Sequence, residues 1–199
     1  MKTRNVLLVA TLAAILGAVA GLFVSGPGPL WRSKMGQEAL QSVLDANAPP
    51  PPAGIAVAKT GEPIPPLQLP DLTGRTVAVP AAWAGRPLLI NVWASWCGPC
   101  IEEMPELQRF ARTQGADGLQ VVGIALDEPD AVRTFLERVP VDYLILIDAP
   151  GPADAGVRLG NLKGVLPYSV LIGADGRLLA RRVGPFVSGE LEEFTAAAR

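Results

Sequence analysis

Apolar and polar positions divide this chain into three regimes. Lys2 and Arg4 precede Val6 to Val24, an uncharged apolar run long enough, at about 1.5 Å per helical residue, to cross ~30 Å of hydrocarbon. Residues 27–60 read as a spacer, in which Pro27, Pro29 and the run Pro49 to Pro52 favour a stiff polyproline II rod. Within it, Ser33 to Ala46 carries Leu40, Val43 and Leu44 on one side of a short predicted helix. From about Gly61 to the C-terminus, strand-like and helix-like segments follow one another.

In this third regime, Leu67 to Leu69, a turn at Asp71 to Gly74 and Thr76 to Val79 predict an opening hairpin. Leu88 to Trp93 reads as a buried strand. Ile101 to Phe110 reads as a helix with Ile101, Met104, Leu107 and Phe110 on its apolar face and a kink at Pro105. The continuous apolar run Leu119 to Leu126 fits a parallel strand covered on both faces. A helix over Asp127 to Arg138, with Val132, Phe135, Leu136 and Val139 inward, a strand over Tyr143 to Ile147 and a helical turn in Ala153 to Leu159 follow. Ser169 to Ile172 and Arg177 to Val183 flank Ala174-Asp175-Gly176, a hairpin signal. Ser188 stands where it would cap a final helix over Glu190 to Ala198, with Leu191 and Phe194 inward. This succession predicts a mixed α/β sandwich.

Composition narrows the function. At 199 residues and 49% hydrophobic content, the chain buries one core, so one domain with appendages is expected. A formal net charge of −2 with scattered Lys and Arg gives no field for nucleic acid, which is excluded as a partner. The chain has no histidine, which removes Ser-His and Cys-His catalysis and most transition-metal sites. Proton chemistry falls to carboxylates, thiols or water, and neither a metal nor a cofactor is expected. The N-terminal segment is a secretory address. Ala18-Val19-Ala20 before Gly21 resembles a cleavage site, but the apolar run continues through Val24, which favours a retained anchor with the bulk of the chain outside the cytoplasm.

The only two cysteines stand in Trp96-Cys97-Gly98-Pro99-Cys100, where the Leu88 to Trp93 strand hands over to a helix. Free N–H groups and the positive end of the helix dipole favour thiolate there, so Cys97 is a candidate nucleophile. Cys100, one turn inside the helix, is close enough to close a disulfide after Cys97 has attacked. A disulfide across so short a loop would stabilise little, and a zinc site lacks ligands. The spacing therefore points to redox chemistry. Two alternatives are weaker: a peroxidase, whose peroxidatic cysteine would want Ser or Thr where Ala94 stands, and a non-enzymatic anchored binding module, which would leave both thiols without a task.

The stretch Asn91-Val92-Trp93-Ala94-Ser95-Trp96-Cys97-Gly98-Pro99-Cys100-Ile101-Glu102-Glu103-Met104-Pro105, with an X-Pro before the penultimate strand, resembles the membrane-anchored, extracytoplasmic thioredoxin-like proteins of the TlpA and ResA type. The similarity runs from about Gly61 to the C-terminus. It implies an α/β thioredoxin fold, a central mixed sheet flanked by helices, with an N-terminal hairpin and an extra strand-helix unit after the active-site helix. It makes Cys97 the attacking and Cys100 the resolving thiol, and Pro167 a cis proline facing them, with the Leu166 backbone turned toward a substrate strand. Trp96 and Pro99 complete the implied substrate-binding surface. Thioredoxin itself has a buried aspartate where Asn91 stands; the ResA pattern instead gives the proton-accepting role to a glutamate at the position of Glu103, with Glu102 a solvated neighbour. The domains implied are an anchor or signal at 1–26, a linker at 27–60 and a thioredoxin-like domain at 61–199. The implied function is a thiol–disulfide oxidoreductase, more reductase than oxidase or isomerase. It would act on disulfides of partner proteins in cytochrome c maturation or copper-site assembly, with a membrane thiol transporter as electron donor.

Overall fold

Strand β3 (Leu88–Trp93) is buried along its whole length, as a run of apolar residues covered on both faces requires. The rest of the fold is arranged about it. The computed structural model describes residues 33–115 and 118–198. A 13-residue helix α1 (Lys34–Ala46) comes first. In it Leu40 and Leu44 are half-buried, but Val43 is 59% exposed, so the expected apolar side is narrower than its spacing implied. Among the described residues no helix is long and apolar enough to cross a membrane; the Val6 to Val24 segment lies outside them.

The domain opens earlier than Gly61. Ala58 is buried and donates its N–H to the Arg158 carbonyl, and Gly61 and Ile64 donate to the Leu178 and Gly176 carbonyls. Strands β1 (Leu67–Pro70) and β2 (Thr76–Val79) form the expected antiparallel hairpin. The Asp71 carboxylate closes its turn by accepting from the Thr73 N–H and hydroxyl and from the Arg75 N–H. These bonds favour the charged form, the Thr73 hydroxyl most, and hold Asp71 at about 2 against an ordinary 3.8.

From β3 the chain runs through α2 (Gly98–Thr113), β4 (Gln120–Leu126), α3 (Pro129–Leu136), β5 (Leu144–Asp148), the single turn α4 (Ala155–Arg158), β6 (Tyr168–Ile172), β7 (Leu178–Val183) and α5 (Glu190–Thr195). The sheet order is β5-β4-β3-β6-β7, with β3, β4 and β5 parallel and β6 and β7 antiparallel. After the active-site helix come β4 and α3, and the chain continues into the edge strand β5. Alternation along β3 divides the core. Leu88, Ile90 and Val92 pack with the β1–β2 hairpin, while Leu89 and Trp93 pack with Met104, Leu107 and Phe110 of α2, Val132 and Phe135 of α3 and Leu191 of α5. Each such side chain, wholly removed from water, contributes about 1.5–3 kcal/mol.

Helix α2 runs through Pro105, which is exposed. One expectation needs correction. The last helix is not capped by Ser188: its N-cap is Gly189 at φ +87°, a left-handed entry that suits glycine, and the helix gives way to a 3₁₀ turn at Ala196–Ala198. The Glu190 carboxylate reaches back instead, accepting from the Val187 N–H at 3.1 Å.

Candidate active site

Where β3 ends, the chain must turn sharply to start α2, and an acidic side chain from the neighbouring strand fixes the turn. Asp127, just past β4, accepts from the Ser95 N–H at 3.0 Å and from its hydroxyl at 2.6 Å. Cys97 is thereby placed as the N-cap of α2, its carbonyl accepting from the Cys100 and Ile101 N–H groups. The Cys100 N–H also points at the Cys97 sulfur, 3.3 Å away. That donor and the aligned dipoles behind it stabilise negative charge on Sγ of Cys97, as the sequence predicted for this position.

The two cysteines are joined, with their Cα atoms 5.3 Å apart. They differ in access: Cys97 is 6% exposed, at the surface of the apolar cluster, while Cys100 is fully buried. Trp96 and Pro99 beside them are exposed, Trp96 at 70%.

Tyr168 of β6 pairs with Val92 of β3, so Pro167, one residue earlier, lies at the end of the sheet where β3 passes into the cysteine motif. The Leu166–Pro167 bond is cis. Leu166 packs against the cluster that holds both cysteines. The loop leading to it is pinned by the buried Asn161, whose side chain exchanges hydrogen bonds with the backbone of Val165.

Glu103, one helical turn beyond Cys100, is wholly buried. Its Oε1 accepts from Nδ2 of Asn91 at 2.7 Å, and its Oε2 accepts from the Phe186 N–H at 2.9 Å. Asn91 also donates to the Ser169 hydroxyl at 3.0 Å. Burial is the dominant influence on Glu103 and raises it from 4.5 to about 7; the two hydrogen bonds and the positive charge of Arg182 pull the other way without cancelling it. A carboxyl poised there exchanges protons readily near neutral pH. Glu102, by contrast, faces solvent.

A slightly exposed cysteine at a helix N-terminus, a fully buried partner cysteine and a buried carboxyl raised towards neutrality suit dithiol–disulfide exchange. The Redoxin family model matches residues 59–198, which span both sheets and every element after α1. The chain belongs to the Redoxin family. Within reach of that family, thiol-disulfide oxidoreductase ResA of Bacillus thuringiensis subsp. konkukian is 28% identical over 137 residues, covering 67% of this chain and 75% of that protein. Thiol:disulfide interchange protein CycY of Rhizobium leguminosarum bv. viciae is 40% identical over 118 residues, 57% of this chain and 58% of that one. Among solved structures, a thiol-disulfide oxidoreductase from Bacteroides fragilis matches with a TM-score of 0.57 and 27% identity, over 66% of this chain and 98% of that one. The fold is thioredoxin-like, and this Redoxin-family chain is a thiol–disulfide oxidoreductase.

Sequence reasoning did not find the partners of Glu103. Asn91 carried a signal, being the one polar residue in an apolar strand. Asp127, Ser169 and the Phe186 backbone carried none, because each acts across at least 32 residues of chain.

Proposed function

We propose that the protein is a reductant, passing two electrons from a Cys97/Cys100 dithiol to a disulfide in a partner protein. The observation that carries this reading is the buried Glu103 carboxyl one turn beyond Cys100, held near neutrality, where it is suited to take the proton of an otherwise inert buried thiol. In the reduced protein the Cys97 thiolate attacks one sulfur of the substrate disulfide. The substrate S–S bond breaks, a mixed disulfide forms, and the displaced sulfur leaves as thiolate and takes a proton from water. Glu103 accepts the proton of Cys100, whose thiolate then attacks Sγ of Cys97. The Cys97–Cys100 disulfide forms and the second substrate thiolate is released. The joined cysteines are the end of that sequence. Return to the dithiol needs two electrons from a thiol donor, for which a membrane thiol transporter is the proposed source.

Trp96 and Pro99 beside the cysteines, with Leu166 and Pro167 at the same end of the sheet, form the proposed surface for the substrate strand. Gly-Pro between the cysteines, as in reducing thioredoxins, supports the direction. The apolar run Val6 to Val24 supports retention on the cytoplasmic membrane with the domain outside the cytoplasm, and the resemblance to TlpA and ResA proteins supports substrates of cytochrome c maturation or copper-site assembly. The test is trapping together with a redox titration. Cys100→Ser should accumulate a mixed disulfide through Cys97, and the wild-type pair should titrate near the roughly −270 mV of thioredoxin. No adduct in Cys100→Ser, with an adduct through Cys100 in Cys97→Ser, would reverse the assigned roles, and a potential near about −120 mV would make the protein an oxidant.

A further inference from the structure

Three charged side chains are buried among the described residues: Asp71, Glu103 and Arg182. Asp71 closes the hairpin turn and Glu103 belongs to the active site, which leaves Arg182 of β7, 4% exposed, without a task in the exchange reaction. Desolvating a guanidinium costs several kcal/mol unless its partners are well placed, so a buried arginine marks a place where geometry is being held.

What Arg182 holds is the segment that reaches Glu103. Its Nη2 donates to the Pro185 carbonyl at 3.1 Å and to Oε2 of Glu190 at 2.6 Å, and its guanidinium lies over the Phe186 ring, 4.6 Å from the centroid. The same Glu190 oxygen accepts from the Val187 N–H. Residues 185 and 187 are therefore clamped on either side of Phe186, and it is the Phe186 N–H that donates to Glu103. Arg182 also pairs with Ser169 across the β6–β7 ladder, and Ser169 is bonded to Asn91, the other donor to Glu103.

We propose that Arg182, clamping residues 185–187 together with Glu190, is a positioning residue that sets the protonation range of Glu103 and thereby the pH range of disulfide exchange. This inference rests on the proton-accepting role proposed for Glu103. The charged or titratable groups facing Glu103 are Arg182 from β7 and Tyr143 from the segment before β5; Cys97 and Cys100 lie on its own helix and do not titrate while joined. Arg182 favours the charged carboxylate directly by its field and indirectly through the Phe186 N–H; Tyr143, kept neutral by burial, contributes no charge.

The test measures the rate of Cys97 alkylation against pH in the reduced full-length protein, with thermal stability alongside, for Arg182→Met and Arg182→Lys, each with and without Glu103→Gln. Arg182→Met should move the Glu103-dependent step upward by roughly one pH unit, since a cation and a fixed donor are both lost. Arg182→Lys should move it less, because an ammonium keeps the charge but cannot bond Pro185 and Glu190 while stacking on Phe186; it decides the matter should Arg182→Met not fold. In the Glu103→Gln background the step should be absent and neither Arg182 variant should restore or shift it. A lowered Tm with the step unmoved in every folded Arg182 variant, or an equal shift with Gln at 103, would make Arg182 merely structural. A wild-type step surviving in Glu103→Gln alone would instead remove the role of Glu103.

Discussion

Glu103 combines complete burial with an ionisable group, and stability should register that combination as directly as catalysis does. Its carboxyl sits at about 7 in the folded protein against an ordinary 4.5. Between those values the folded state keeps a proton that the unfolded chain has released, so this group's contribution falls as pH rises from about 4.5 to about 7 and is level above. At about 1.4 kcal/mol for each tenfold change in proton affinity, the span is on the order of 3 kcal/mol. Glu103→Gln removes the titration. Relative to wild type, the oxidised variant should therefore gain roughly 3 kcal/mol between pH 4 and pH 8, measured by urea denaturation at several pH values. A constant difference between the two proteins would mean that Glu103 is not held near neutrality.

At the scale of elements, the α2 face of the sheet depends on a missing side chain in β4. Gly123 lies between Asn91 of β3 and Ile145 of β5. A Cβ there would stand 2.6 Å from Cδ1 of Ile145, 3.0 Å from Nε1 of Trp93 and 3.2 Å from Cε2 of Tyr143. The isoleucine tip can swing aside, but Trp93 is fully buried and packs on Phe135 with ring centroids 5.3 Å apart, so it has little room to retreat. Gly123→Ala should cost about 1–3 kcal/mol of stability. Because Trp93 closes β3 just ahead of the cysteine motif, disulfide reduction should slow as well. Unchanged denaturation midpoints would show that this face is looser than its contacts imply.

At the scale of the whole molecule, the separation of address from chemistry can be tested by truncation. A chain beginning at Gly54 keeps the backbone bonds from Ala58, Gly61 and Ile64 to the rest of the domain, and it should retain wild-type activity on a soluble disulfide substrate. One beginning at Leu67 loses the bonds from Ala58, Gly61 and Ile64 and the burial of Ile64, which alone is worth about 1.5–3 kcal/mol. Its Tm should fall by several degrees. In the native cell the full-length protein should stay with membranes after carbonate washing. Recovery of native protein beginning at Gly21 in the soluble fraction would replace the proposed anchor by a cleaved signal and leave the redox chemistry untouched.

The local chemistry was already determined by the residue string. Two cysteines with Gly-Pro between them, behind an apolar strand and ahead of a helical pattern, specify an N-cap sulfur and a partner one turn on, because a helix start and its dipole are properties of neighbouring residues. The strands and the α2 and α3 faces were legible for the same reason: alternation and 3.6-residue periodicity are local. What only the tertiary structure decided is the environment of Glu103, the proposed proton acceptor. Burial of Glu103 against Asn91, its bond to a backbone N–H 83 positions away, and the Arg182 clamp behind that N–H all come from packing α2 and the 184–189 segment onto one sheet face. The register shift opposite Leu171 and Ile172 adds to this, since it interrupts the alternation of β7 from which the inward side of Arg182 would otherwise be read. Proton affinity follows desolvation and partners brought together across the chain, and no window of sequence contains them.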